Sequence, residues 1–232
     1  MAKITWYGHS AVKVEIAGKT LIVDPMLDQN PNSPVKAKDV TTADVVYVTH
    51  DHPDHLGEAF DICKRTGAVF AAVSELAEKA SKNGVKNTAS LNVGGSYMAG
   101  GVKLTVVQAV HSAAEGTPTG VMIQGEGVII YHAGDTALFS DMTLFGAQYS
   151  IDLACLPMGG NFTMDAIQAT AAATMLKPKV VLPLHFKTFP VLAQNTAEFE
   201  KKMAAKNPDV TVLSLKPGGS YELSPKQMHV EA

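Results

Sequence analysis

The run His50-Asp51-His52-Pro53-Asp54-His55 constrains this chain more than any other feature. It places four metal-ligand side chains, His50, His52, Asp54 and His55, directly after the apolar stretch Val45-Val46-Tyr47-Val48. Neutral imidazole nitrogen and carboxylate oxygen suit zinc, and also manganese, nickel or iron. A solvated surface loop has no reason to concentrate them at a strand end. In extended backbone, residues i and i+2 point the same way, so His50 and His52 can grip one ion. Pro53 bends the chain and lets Asp54 and His55 face a second.

Three further ligand-type residues follow β-branched, apolar stretches. His111 comes after Leu104–Val110, Asp135 after Val128–Tyr131 and a short His-Ala-Gly turn, and His185 after Val180–Leu184. A strand delivers its last residue to the sheet rim, where loops converge on one cleft. The count assigns His50, His52 and His111 to one ion, and Asp54, His55 and His185 to another, with Asp135 bridging. Such ions lie about 3.5–4 Å apart. Coordination positions remain open for water or hydroxide, as catalysis requires.

Length and composition bound the rest. At 232 residues, 46% of them hydrophobic, the chain suits one domain spanning residues 1–232. No apolar stretch approaches the ~20 residues that span a bilayer, so no membrane partner is expected. Met1–Trp6 shows no secretory signal, and Cys63 and Cys155 are too few for a disulfide framework; both point to the cytoplasm. The cysteines read as core filler, as do the methionines. A net charge of -3 and a single arginine, Arg65, argue against a nucleic-acid partner, and a small-molecule substrate is expected. A homo-oligomer is compatible with the chain, although no repeat or heptad marks an interface.

Strand-like segments fall at 3–7, 11–16 and 20–23, with Gly18 at a turn, and 28–39 reads as a surface loop. A helix is expected over 57–65 and a strand over 68–73. A second helix should run from an N-cap at Ser74 through Lys82, with Gly84 at its C′ position. Residues 91–110 are β-rich. Helices are expected over 163–176, with Asp165 in the first turn, and over 196–206, stopping before Pro178 and Pro208. Strands mixed with helices indicate two packed mixed sheets flanked by helices, an α+β fold.

The residues quoted above resemble those of the metallo-β-lactamase fold superfamily. His50–His55 matches its HxHxDH signature, and His111, Asp135 within Gly134-Asp135-Thr136, and His185 match its later ligand positions in order. Tyr7-Gly8-His9-Ser10, Val23-Asp24-Pro25, His132-Ala133-Gly134-Asp135-Thr136 and Phe162-Thr163-Met164 are similar to the UPF0173 and ascorbate-6-phosphate-lactonase-like hydrolases. The resemblance implies a four-layer αβ/βα sandwich with a binuclear centre, most simply two Zn2+ ions, at one edge. It also implies hydrolysis of an ester-type bond, lactone or phosphodiester, by a metal-bound hydroxide. Asp54 and Asp135 then carry catalytic roles, Asp54 as ligand and orienter of the hydroxide. No Gly-x-Ser-x-Gly elbow offers a rival nucleophile.

Other residues admit two readings. His9 is either a turn histidine bonded to backbone or a contact to the cleft. Asp24 either forms a turn before Pro25 or orients a ligand histidine, and the second is favoured. His132 is expected to brace the loop to Asp135. Gly159-Gly160-Asn161-Phe162 is read as a glycine turn in preference to a cleft wall. Lys187 is expected to be a surface lysine, and His229 to have no role. Three alternatives accompany the hydrolase: an iron-dependent oxidoreductase, a nuclease, and a binding protein on a retired fold.

Overall fold

The computed structural model describes residues 1–224, so His229 lies outside the described residues. The first sheet takes β1 (Ala2–Gly8), β2 (Ala11–Ile16), β3 (Lys19–Val23), β4 (Val45–Tyr47), β5 (Val69–Val73) and β6 (Thr88–Leu91). The second takes β7 (Ser96–Ala99), β8 (Val102–Gln108), β9 (Thr119–Gly125), β10 (Val128–His132), β11 (Leu153–Pro157), β12 (Val180–Leu184) and β13 (Thr211–Val212). The last strand, β14 (Ser220–Leu223), returns to pair with β1. The orders are β14-β1-β2-β3-β4-β5-β6 and β7-β8-β9-β10-β11-β12-β13. Each sheet begins antiparallel and ends in four parallel strands, β3–β6 and β10–β13.

Between the sheets lies a continuous core, with Ile4, Val14, Leu21 and Tyr47 facing Leu104, Ile123, Tyr131 and Cys155. Parallel neighbours need crossovers, and helices supply several of them. Helices α1 (Pro53–Leu56), α2 (Ala59–Thr66) and α3 (Ser74–Lys82) follow strands of the first sheet, and α4 (Met142–Gln148), α5 (Ala166–Leu176) and α6 (Ala197–Lys206) those of the second. Ile62 of α2 and Leu76 of α3 bury in a second cluster against Ile22 and Phe70, on the outer face of the first sheet. The result is the expected sandwich of two mixed sheets flanked by helices. No described helix is long and apolar enough to cross a membrane.

Strand direction places the site. β1 is antiparallel to β2, and β2 to β3, so β1 and β3 run the same way. By the same logic β8 runs with β10. The C-terminal ends of β1, β3 and β4 therefore share one rim of the first sheet, and those of β8, β10 and β12 one rim of the second. Loops beyond such ends are where α/β sheets place their sites.

Several local expectations shift. Gly57 does not begin a helix; it ends α1 at φ 42°, where a Cβ would fall 2.4 Å from the Pro25 carbonyl oxygen. Ser74 is not an N-cap but the first residue of α3, and its hydroxyl donates to the Leu91 carbonyl instead. Asp165 lies one residue before α5, where its carboxylate caps the Gln168 amide in a capping box. Gly84, at φ 87°, follows α3 as expected.

Candidate metal centre

Beneath the His-rich loop, the two sheets are joined by hydroxyls. Thr119 donates to the Thr49 carbonyl through both its amide (3.0 Å) and its hydroxyl (2.9 Å), and Tyr47 Oη lies 2.8 Å from that hydroxyl. The chain then leaves β4, and Pro53 occupies the first position of α1, where its missing N–H is no loss. That single turn carries Asp54 and His55.

Seven of the chain's eight histidines gather here or beside this site. Nitrogens of His50, His52 and His111 lie within 4.8 Å of one another, and His50 Nε2 is 3.0 Å from His52 Nδ1. Donor atoms of Asp54, His55, His185 and His9 form a second such group, and His50, His55 and Asp135 a third. Asp135 reaches across: Oδ1 is 3.2 Å from His55 Nε2, and Oδ2 is 3.1 Å from His185 Nε2 and 3.6 Å from His111 Nε2. All seven candidate ligands thus lie around one rim; His50 and His55 also share a group with Asp135, which cuts across the two sets expected from the sequence. His9 joins them.

Hydrogen bonds behind the donors decide what they can hold. Asp24, fully buried, accepts from the Thr49 amide and hydroxyl (both 2.8 Å) and from His55 Nδ1 (2.7 Å). With its proton on Nδ1, His55 turns a lone pair at Nε2 toward Asp135 Oδ1. Both atoms are buried and neither has a hydrogen-bond partner. Two acceptors facing each other at 3.2 Å suit a cation between them, and the N/O donor set suits a divalent ion. Likewise, the Thr49 hydroxyl donates to Asp24, so it accepts from His50 Nδ1 at 3.0 Å and leaves His50 Nε2 free for a ligand role.

The protonation pattern carries the same charge requirement. Burial opposes ionisation of Asp135 and Asp54, yet neighbouring imidazoles hold both carboxyls below the usual range: His55 and His185 around Asp135, His185 and His9 around Asp54. Burial also opposes a charge on His185 and His55. Asp135 outweighs it, raising His185 to about 9, and Asp135 with Asp24 holds His55 well above its ordinary value. His50 and His9 lie where burial dominates, and fall to about 3 and about 4. Ionised carboxylates in this interior need cationic charge between them, from protons on His55 and His185 or from divalent ions.

The residues with two readings now resolve. His9 contacts the cleft: Nε2 lies 3.0 Å from Asp54 Oδ2, and Nδ1 2.9 Å from Thr188 Oγ1. Asp24 orients His55. His132 braces its loop, with Nε2 on the Ser10 carbonyl (3.0 Å) and Nδ1 accepting from the Gly134 amide (3.2 Å). Backbone strain gathers at the same rim, since His9, Asp24, Asn161, His185 and Lys187 all have φ between 50° and 65°. Gly159 allows this packing, because a Cβ there would sit 1.8 Å from the His185 carbonyl oxygen. The segment after it is both turn and wall: Gly160 and Asn161 make the turn, and Phe162 lines the cavity. Lys187 is exposed and borders a different groove.

Sequence reasoning missed several contributors. Thr49 adjoins the run and sits behind two of its histidines, and its place directly before His50 is the only local signal. Asp51, inside the run, is no donor to the cluster; its Oδ1 accepts from the Ala114 amide (2.9 Å) and ties down the loop after His111. Thr188, Met26, Gln29, Phe189 and Val191 carry no signal short of the fold. A cavity of about 570 Å3 opens from the donors, with these last four among its walls.

Comparison with known proteins places this geometry. A model of the β-lactamase superfamily domain matches residues 3–185. UPF0173 metal-dependent hydrolases from Methanopyrus kandleri and Archaeoglobus fulgidus are each 42% identical, covering 95% and 96% of this chain and 99% of their own lengths. The solved structure of Igni18, a metallo hydrolase from Ignicoccus hospitalis, matches with a TM-score of 0.89 at 36% identity, over 96% of this chain and 99% of that one. Fold and donor cluster together define a metal-dependent hydrolase of the metallo-β-lactamase superfamily. Within that class the chain belongs to the UPF0173 family.

Proposed function

We propose that this protein uses two divalent ions, zinc first among them, to hydrolyse an ester-type bond, lactone or phosphodiester, in a small molecule. The observation that carries this reading is Asp135, whose two oxygens reach the donors of both groups. His50, His52 and His111 would hold one ion; Asp54, His55 and His185 the other; Asp135 both. Bound there, the ions supply a lowered pKa for water and an electrophilic pull on the scissile oxygen.

The chain's own residues do the rest. Asp54 is half-buried at the cavity edge and held ionised, so it accepts a hydrogen bond from the attacking water and orients it. Its acidity makes it a poor store for the proton, which leaves with the alcohol. His9 and Thr188 fix the Asp54 carboxylate from behind. Asp24 fixes the His55 ring. The nuclease alternative gains nothing from the cavity, whose described walls include no lysine or arginine.

Elemental analysis of protein purified without added metal tests the reading, followed by assay on lactone, phosphodiester and β-lactam substrates. About two equivalents of metal and turnover on an ester-type substrate are expected. One equivalent at full activity would end the binuclear reading. Full activity in both His52→Ala and Asp135→Ala would end the hydrolytic one.

A further inference from the structure

We infer that the substrate of this site is an uncharged carboxylic ester or lactone with an apolar acyl portion, and not a phosphodiester. The inference rests on the hydrolytic reading above and narrows it. The cavity is lined by His52, Asp54, His111, Asp135 and His185 of the donor cluster, and also by the apolar Met26, Phe162, Phe189 and Val191. Phe162, Val191 and Phe189 are 57%, 54% and 37% exposed. Single exposed hydrophobics are ordinary, whereas three around one cleft mouth, from two separate loops, mark a binding surface. Cavities of this volume, apolar with a few convergent polar groups, are what small ligands occupy.

The cavity wall brings no cationic side chain of its own to an anionic substrate. The guanidinium of Arg65 donates to the Val40 and Ala37 carbonyls. Lys79 faces Glu115 and Asp51, and Lys187 borders another groove. A phosphate oxygen beyond the ions' reach would meet apolar carbon and the carboxylates of Asp54 and Asp135. Gln29 and Ser112 are the neutral hydrogen-bonding groups of the wall, and they suit a carbonyl or hydroxyl. The reaction balances without a co-reactant. Water's oxygen bonds to the acyl carbon, the acyl C–O bond breaks, one proton goes to the departing alcohol oxygen and the other leaves the new carboxylic acid for solvent.

The test compares p-nitrophenyl acetate, butyrate and hexanoate with bis(p-nitrophenyl) phosphate on metal-loaded protein. The expected kcat/KM rises by about tenfold or more from acetate to hexanoate, because methylenes enter an apolar wall. The phosphodiester should be the poorest of the four. In Phe162→Ala/Val191→Ala, with metal content verified, the hexanoate-to-acetate ratio should fall about fivefold or more. Rates independent of chain length, or preference for the phosphodiester, would overturn the inference while leaving the hydrolase intact. If the metal-loaded protein turns over no ester, lactone or phosphodiester, the hydrolytic reading fails instead. Calorimetry with the uncharged p-nitrophenyl hexanoate then judges the apolar cleft alone, and absence of binding overturns it. A double variant that changes oligomeric state at an unchanged ratio would assign these side chains to an interface between copies, which also overturns it.

Discussion

His50, His52 and His111 form a group of three imidazoles with no carboxylate of its own, and two of them, His52 and His111, are only partly buried. Asp54, His55, His185 and His9 form a group with a carboxylate inside it and Asp24 behind it, and its three imidazoles are buried. The first offers neutral donors to an arriving ion. The second concentrates negative charge in a low-dielectric interior, where an unbalanced carboxylate is costly. A cation is therefore worth more in the second group than in the first, and the carboxylate of Asp135 lies near imidazoles of both.

That contrast breaks most visibly at Asp135. Asp135→Ala should lower kcat by about a thousandfold or more and reduce bound metal in both groups, read by elemental analysis beside steady-state kinetics. Retention of a full equivalent in either group would show that they do not share the carboxylate.

Apoprotein stability exposes the charge imbalance directly. His185 titrates at about 9 in the folded chain, against an ordinary 6.5. A raised histidine stabilises the fold fully below the unfolded pKa, and that stability is lost as pH rises through the folded one. Chelated protein should thus lose about 3 kcal/mol between pH 6.5 and 9, followed by chemical denaturation at each pH. Metal-loaded protein, whose imidazoles are neutral ligands, should show no such decline across this window.

Asp24→Asn separates the groups more finely. It touches His55 and Thr49, so competition with a chelator should show affinity down by about 10- to 100-fold in the carboxylate-rich group. Equal weakening of both steps of the titration would contradict the separation. Smaller again is Thr188→Val, which removes the partner of His9 Nδ1. The expected result is a several-fold lower kcat at unchanged metal content, with a normal KM. On the imidazole side, Asp51→Ala frees the Ala114 amide, and a loss of about 1 kcal/mol in thermal unfolding is expected.

The seven candidate donors were legible because four strands, β4, β8, β10 and β12, announce their ends: an apolar, β-branched run stops, and a histidine or aspartate follows within a few residues. Asp24 was half legible, since a carboxylate before proline also makes turns. His9 was ambiguous for a different reason. Whether the end of β1 reaches the rim shared by β3 depends on two antiparallel pairings, and nothing within Tyr7–Ser10 encodes them. Ser74 has the chemistry of a cap, but its hydroxyl found the Leu91 carbonyl of a neighbouring strand end. Phe162 and Val191 are legible only as hydrophobic residues near glycine and proline; which cavity they wall is set by how two distant loops fold beside the donors. The two sheets repeat one plan of antiparallel strands leading into four parallel ones, yet no internal repeat is visible in the sequence. The plan resides in backbone direction, which many side-chain sets satisfy.

The rim is drawn equally from the two sheets: β1, β3 and β4 bring His9, Asp24 and the His50–His55 loop, while β8, β10 and β12 lead to His111, Asp135 and His185. A chain cut in the turn of residues 92–95 would leave each fragment with an incomplete set, and Asp135 on the fragment that lacks His50 and His55. Added zinc would then act as an adhesive between two polypeptides. Complementation of the severed halves, titrated with metal, would measure whether bound metal holds the two sheets together.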